Sequence, residues 1–236
     1  MPESWIAPGR RVLVIAPHPD DETLGCGGTI ARLTRVGARV FVLAVVVGDM
    51  PRVGGQSRVD ERLDEFVKAC ELLGVERGEV CWTDAERHMR LDTVPQLDLV
   101  RLIEDQAELS LHAIKPEAVL IPAAGGTNQD HVAVHRAAYV VMRPHAGALK
   151  SVPPVVLGYS IPDERSWPAG LEPATITIDT SNDLPTKLAA LEAYRSQAQP
   201  PGHPRHLDHV AALDRMAGYD VGVASAERFV PYRFVC

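Results

Sequence analysis

The chain has 236 residues, close to half of them hydrophobic, which is enough to bury a substantial core and fits one domain over residues 1–236 better than two. Acidic residues outnumber basic ones 31 to 24, and no Lys/Arg run supplies the positive stripe that phosphate backbones or anionic lipids require, so neither nucleic acid nor a membrane surface is an expected partner. The first ten residues lack the apolar core of a secretion signal, no run reaches spanning length, and Cys26, Cys70, Cys81 and Cys236 form no Cys-x-x-Cys pair; these features predict a cytoplasmic, soluble protein with small buried thiols rather than a disulfide framework.

In chain order, the pattern predicts a buried strand over 12–16, a helix over 24–35 stopped near Gly37, and a second apolar strand over 40–47. Val59, Leu63, Phe66, Val67, Cys70 and Leu73 recur at helical spacing before Gly74, giving a helix with one apolar face. A short strand over 79–82, a helix over 97–111, a strand over 118–122 and a helix over 130–142, with Asp130 near its N-cap, follow. Beyond Pro144 the expected strands are 155–160 and 175–179, and the expected helices 184–194 and 206–217. Strands alternating with helices in this way make βαβ units, hence an α/β fold with a mainly parallel central sheet and right-handed crossovers.

Two loops concentrate the chemistry. Pro17-His18-Pro19-Asp20-Asp21-Glu22 lies where the first strand ends and the first helix begins, the edge at which open α/β sheets bind ligands. Three carboxylates and an imidazole in five residues need a cation or solvent to offset them, although a solvated N-capping turn has the same composition. Asn128-Gln129-Asp130-His131 follows the 118–122 strand through Gly125-Gly126 and reaches the same edge. A His and an Asp from one loop with a His from the other supply three N/O ligands and leave a fourth position for water, the arrangement of a catalytic zinc site. His18 and Asp21 are three apart and converge in a turn, which leaves Asp20 pointing elsewhere and available as a base. His135, four residues after His131, is a rival ligand, but position 132 is Val132 and not the Glu of a His-Glu-x-x-His metalloprotease.

With residues 16–22 after a strand, the Asp130-His131 pair after another, and Arg62, Glu65, Ala69 and Leu73-Gly74 along the second long helix, the sequence resembles the PIG-L/LmbE-like family of zinc N-deacetylases over most of its length. Tyr194-x-Ser196-Gln197, His203-Pro204-Arg205 and Ala226-Glu227-x-Phe229 are similar to a bacterial branch of it. The resemblance implies a Rossmann-like three-layer sandwich, Zn2+ as cofactor, His18, Asp21 and His131 as its ligands, Asp20 as general base, and Arg62 as a donor to sugar hydroxyls. The substrate it implies is an N-acylated amino sugar, glycoconjugate or related secondary metabolite losing its acyl group, in most cases acetyl. Whether the protein is a homo-oligomer is left open.

One position departs from the pattern. Many members carry a His three residues before the ligand His, whereas this chain has Asn128, whose amide can donate to a developing oxyanion but cannot deliver a proton. Asp20 is then expected to return the proton it takes, and Asp130 to orient a neighbouring group. Within the enzyme class, an amidase of thiol-sugar conjugates is the alternative; outside it stand a non-catalytic sugar-binding protein and a nucleotide-dependent oxidoreductase. Gly25-Cys26-Gly27-Gly28 lacks Gly-x-Gly-x-x-Gly spacing and follows an acidic run that repels a pyrophosphate, so close helix packing explains it better. The His203, His206, Asp208, His209 group is read as a polar turn at a helix start rather than a lid or second metal site.

Overall fold

The computed structural model describes residues 5–52, 55–144, 150–165 and 175–235; residues 1–4 and Cys236 lie outside them. The elements run β1 (Arg11–Ala16), α1 (Asp21–Arg35), β2 (Arg39–Val46), β3 (Met50–Arg52), β4 (Gly55–Ser57), α2 (Val59–Leu73), β5 (Arg77–Trp82), α3 (Gln96–Arg101), α4 (Leu111–Ile114), β6 (Ala118–Pro122), α5 (Gln129–Val141), β7 (Val155–Tyr159), α6 (Pro162–Arg165), β8 (Ile176–Asp179), α7 (Leu184–Ala193), α8 (Leu207–Tyr219) and β9 (Ala226–Phe234).

β5, β2, β1, β6 and β7 pair in that order and in parallel, and β9 and β8 extend the sheet antiparallel. Alternate residues of β1 enter different cores. Val12 and Val14 pack with Ile30, Phe66 and Leu191 from α1, α2 and α7, while Leu13 and Ile15 pack with Leu99 and Val134 from α3 and α5. Helices therefore cover both faces, giving the expected three-layer sandwich, and a sheet buried on both sides reads as continuous apolar runs. The chain builds outward from β1 through β2 to β5, then returns to build from β6 to β7, so the sheet order reverses between β1 and β6.

The expected helix over 97–111 is broken. α3 ends at Arg101, a wide turn spans Leu102–Gln106, Ala107 is extended, and Ser110 then caps α4 by accepting from Ala113 N. Leu102, Ile103, Leu109 and Leu111 are buried across the break, so the apolar pattern runs on where the backbone does not. α1 starts three residues earlier than its apolar pattern, at Asp21, and α5 is capped by Asn128, whose Oδ1 accepts from Asp130 N. The sequence pattern does not predict β9, because Pro231 interrupts it; the proline falls beside a register shift in the β7 pairing, where a missing donor is tolerated. Nor does it predict the β3–β4 hairpin. The glycine run lies inside α1, which kinks at Cys26, and a Cβ on Gly25 would overlap the Tyr159 ring, in keeping with a packing role. No helix among the described residues is long and apolar enough to cross a membrane.

Candidate metal centre

Because β1 and β6 are neighbours, the loops leaving their carboxyl ends face each other. His18 N donates to Asp21 Oδ2 at 3.0 Å and closes the turn that starts α1. The same oxygen lies 3.1 Å from His18 Nδ1 and 3.1 Å from His131 Nε2, which arrives on α5. One ligand-type atom from each of His18, Asp21 and His131 falls within 4.8 Å of the others, and all three residues are buried.

Their chemistry fits a divalent metal. Asp21 Oδ1 and both ring nitrogens of His131 are buried without an aligned hydrogen-bond partner, an arrangement that leaves desolvated polar atoms unsatisfied. Asp20, Asp21, Asp130 and Glu164 are buried around two imidazoles, an excess of negative charge that a cation or bound protons must offset. Burial by itself lowers the pKa of His131, but Asp21 and Glu164 outweigh it and lift the ring to about 10. The same contest leaves His18 raised, with Asp130 and Asp21 outweighing burial. The metal-free site thus takes up protons where a cation would sit, and two imidazoles with one carboxylate suit zinc with a position open.

Asp130, fully buried, reaches into the same site. Its Oδ2 accepts from His18 Nε2 at 2.8 Å and its Oδ1 from Leu91 N at 2.8 Å, which fixes the ring with Nδ1 toward Asp21. Asp20 has φ 107° and ψ −30°, a conformation uncommon for a residue with a Cβ. Its carboxylate sits between two guanidiniums, with Arg62 Nη2 3.9 Å from Oδ1 and Arg205 Nη1 3.7 Å from Oδ2. Burial and then Asp21 push Asp20 up to about 6, against the pull of Arg62, Arg205 and His18.

Arg62 is 2% exposed; Nη2 donates to Pro19 O at 2.6 Å and Nη1 to His88 Nε2 at 3.3 Å. This arginine braces the Asp20 loop, and its buried Nε has no hydrogen-bond partner among the described residues. His135 takes no part: Nδ1 donates to Pro122 O at 2.8 Å and the ring packs on Tyr139 and Tyr232. His206 is the N-cap of α8, as a polar helix start requires. The bacterial-branch marks are ties within the fold. Tyr194 Oη donates to Glu22 Oε1 at 2.6 Å, Ser196 N and Oγ donate to Glu65 at 2.6 and 2.7 Å, and Arg205 forms a two-pronged pair with Asp163.

Sequence reasoning missed His88 and Glu164. His88 stands edge-on to His18 at 5.1 Å; because a guanidinium can only donate, its Nε2 accepts from Arg62 and the ring is neutral. Burial, then His18 and Arg62, lower it to about 4. Glu164 Oε1 lies 3.2 Å from His131 Nδ1. Both follow strands, β5 and β7, at the carboxyl edge already singled out, and that position was the available signal.

A cavity of about 310 Å³ opens beside Asp20, with Leu24, Leu191 and Leu207 among its apolar lining and Gln197, Gln199 and Arg205 among its polar lining.

Comparison with known proteins agrees with this geometry. A probable N-acetyl-alpha-D-glucosaminyl L-malate deacetylase 2 of Bacillus cereus is 30% identical over 198 residues, covering 80% of this chain and 84% of the relative. A 1D-myo-inositol 2-acetamido-2-deoxy-alpha-D-glucopyranoside deacetylase of Actinosynnema mirum is 29% identical over 227 residues, covering 79% of this chain and 80% of the relative. Among solved structures, the conserved protein TT1542 of Thermus thermophilus superposes with a TM-score of 0.72 at 27% identity, covering 95% of this chain and 96% of that one. The family model described as PIG-L, GlcNAc-PI de-N-acetylase, matches residues 13–142, which hold both loops of the centre, and the chain belongs to this family of deacetylase hydrolases.

Proposed function

We propose that the protein is a zinc-dependent N-deacetylase acting on an amino sugar or a small conjugate of one, with His18, Asp21 and His131 as metal ligands and Asp20 as general base. The observation that carries this reading is a buried His18–Asp21–His131 group beside a second carboxylate, that of Asp20, on a positive-φ residue that borders a cavity. Zinc, when bound, supplies Lewis-acid charge that acidifies water and polarises a carbonyl.

The chain's own residues do the rest. Asp20 accepts the proton of the attacking water at its carboxylate, and a folded-state pKa near 6 lets it hold that proton and give it back at neutral pH. Asn128 Oδ1 is engaged by Asp130 N, which leaves the Nδ2 hydrogens to donate toward the carbonyl oxygen as negative charge develops there. Because the amide of Asn128 delivers no proton, the leaving nitrogen must come within reach of Asp20. The amine-bearing sugar therefore belongs in the cavity beside Asp20, where apolar side chains meet a pyranose face and the glutamines meet its hydroxyls. Arg62 is 2% exposed and turned onto Pro19 O and His88, so its first role is to hold the Asp20 loop rather than to meet sugar hydroxyls. The names of the relatives support the substrate class, since both carry an N-acetylated amino sugar as the group acted on.

The experiment is primary-amine release from a panel of N-acetylglucosaminyl compounds by the zinc-loaded protein. Release that chelation abolishes and zinc restores is the expected result; zinc binding with no release across the panel would move the reading to a sugar-binding role. Asn128→Ala should leave a measurable remainder of turnover, roughly 0.1 to 1 per cent, since one oxyanion donor is worth about a hundred- to a thousand-fold. Loss as complete as for Asp20→Asn in the same assay would remove the division of labour between the two residues.

A further inference from the structure

We infer that Glu164 is a positioning residue for the metal centre: it holds the Nδ1–H of His131 and so turns Nε2 toward His18 and Asp21. The inference rests on reading these three residues as metal ligands. His131 is 1% exposed and Glu164 9% exposed. His131 Nδ1 and Glu164 Oε1 lie 3.2 Å apart, and both are buried atoms with no aligned hydrogen-bond partner. Among the described residues these two atoms lie closer to one another than a hydrogen bond's limit, so each is the other's natural partner once the ring settles. His131 Nε2 is in the same condition, 3.1 Å from Asp21 Oδ2 without alignment. A single rotation of the ring onto a cation through Nε2 would let Nδ1–H meet Glu164, because the two nitrogens move together. The arrangement repeats on the second histidine what Asp130 does for His18.

Two features hold Glu164 there. Its neighbour Asp163 receives Nε and Nη2 of Arg205 at 3.0 and 2.9 Å, which fixes α6 against the loop before α8. On the other side Gly126, in the loop leaving β6, lies against the Glu164 carboxylate, and an added Cβ would overlap Oε1. That oxygen is the far end of a flexible side chain, so an alanine at 126 should displace the carboxylate from His131 while leaving the fold intact. Gly126 therefore offers a way to move Glu164 without changing it.

The test is zinc affinity, measured by competition with a chromophoric chelator. Glu164→Ala and Gly126→Ala should each weaken binding about 10–100-fold. Glu164→Gln, which keeps an acceptor oxygen and loses the charge, should fall between. In the cobalt(II)-loaded protein, wild type should show two slowly exchanging imidazole N–H resonances, from His18 and His131, and the alanine variants should lose the second. Affinities within twofold of wild type for both alanine variants would overturn the inference while leaving the metal site standing. A wild-type protein that binds no zinc would overturn both. Should Glu164→Ala fail to fold, Gly126→Ala decides the matter alone.

Discussion

Asp20→Asn is expected to reduce turnover about a thousand-fold and, in the same molecule, to raise the melting temperature of the metal-free protein. The first effect follows from the general-base role proposed for Asp20, a contribution of roughly 10²–10⁴ in comparable reactions. The second follows from burial. The Asp20 carboxyl titrates near 3.8 when unperturbed and near 6 in the fold, so the folded state carries an ionised group it disfavours, at about 3 kcal/mol for a difference of roughly two units. An acid whose folded pKa is raised lowers stability fully above about pH 6, progressively less down to about pH 4, and not at all below, where both states are protonated. At pH 7 the amide variant should therefore melt higher by about 5 °C or more, at roughly 2–4 °C per kcal/mol for a chain of this size. The two proteins should converge as the pH falls below about 4. Calorimetry across that window checks the stability arm, and a variant that melts below wild type at pH 7 would sink it. Residual turnover within tenfold of wild type would sink the assignment of Asp20 as base. The positive φ of Asp20 fits the same account, since strain is retained where a side chain is held for function.

The second large effect lies away from the centre. Lys187→Met is expected to destabilise the fold by about 3–5 kcal/mol, measured by urea denaturation. Lys187 is fully buried, with Nζ 2.6 Å from Asp214 Oδ2 and 2.7 Å from Glu227 Oε1. Burial pulls its pKa down, and Asp214 and Glu227 more than restore it, so the ammonium stays charged. Removing it leaves two carboxylates in the core with their cation gone. Glu227 also serves α1, because its oxygens accept from Gly28 N at 2.9 Å and Thr29 N at 2.7 Å, just after the kink at Cys26, and so cap the helix segment that restarts there. A repelled Glu227 would release that cap as well. Adding Asp214→Asn to Lys187→Met should recover at least about 1 kcal/mol, because one of the two buried carboxylates then carries no charge. A loss below about 1 kcal/mol for Lys187→Met would show that the cluster contributes little.

Much of this protein was legible before any contact was known. The strands around 12–16, 40–47 and 118–122 were legible because a parallel sheet covered on both faces demands uninterrupted apolar residues, and the helix before Gly74 because one face of it meets the sheet. His18, Asp21 and His131 could be named from residue type and from the rule that loops at the carboxyl edge share a site, which needs only the order of strands. What local pattern could not give were relations set by residues far apart in the chain. The break in the expected 97–111 helix is invisible to periodicity because its apolar side chains stay buried on both sides of the break. β9 carries a proline and is a strand only because β7 and β8 lie on either side of it. Arg62, which the resemblance makes a donor to sugar hydroxyls, is closed over by the fold and turned onto Pro19 O and His88. Glu164 and His88 become part of the centre only when β7 and β5 deliver their loops beside β1. Residue types and spacing therefore pointed to a metal-ligand set and a class of chemistry, while the neighbours Arg62, His88 and Glu164 were brought to it by tertiary packing, because burial and distance, and not sequence separation, set how strongly charges interact.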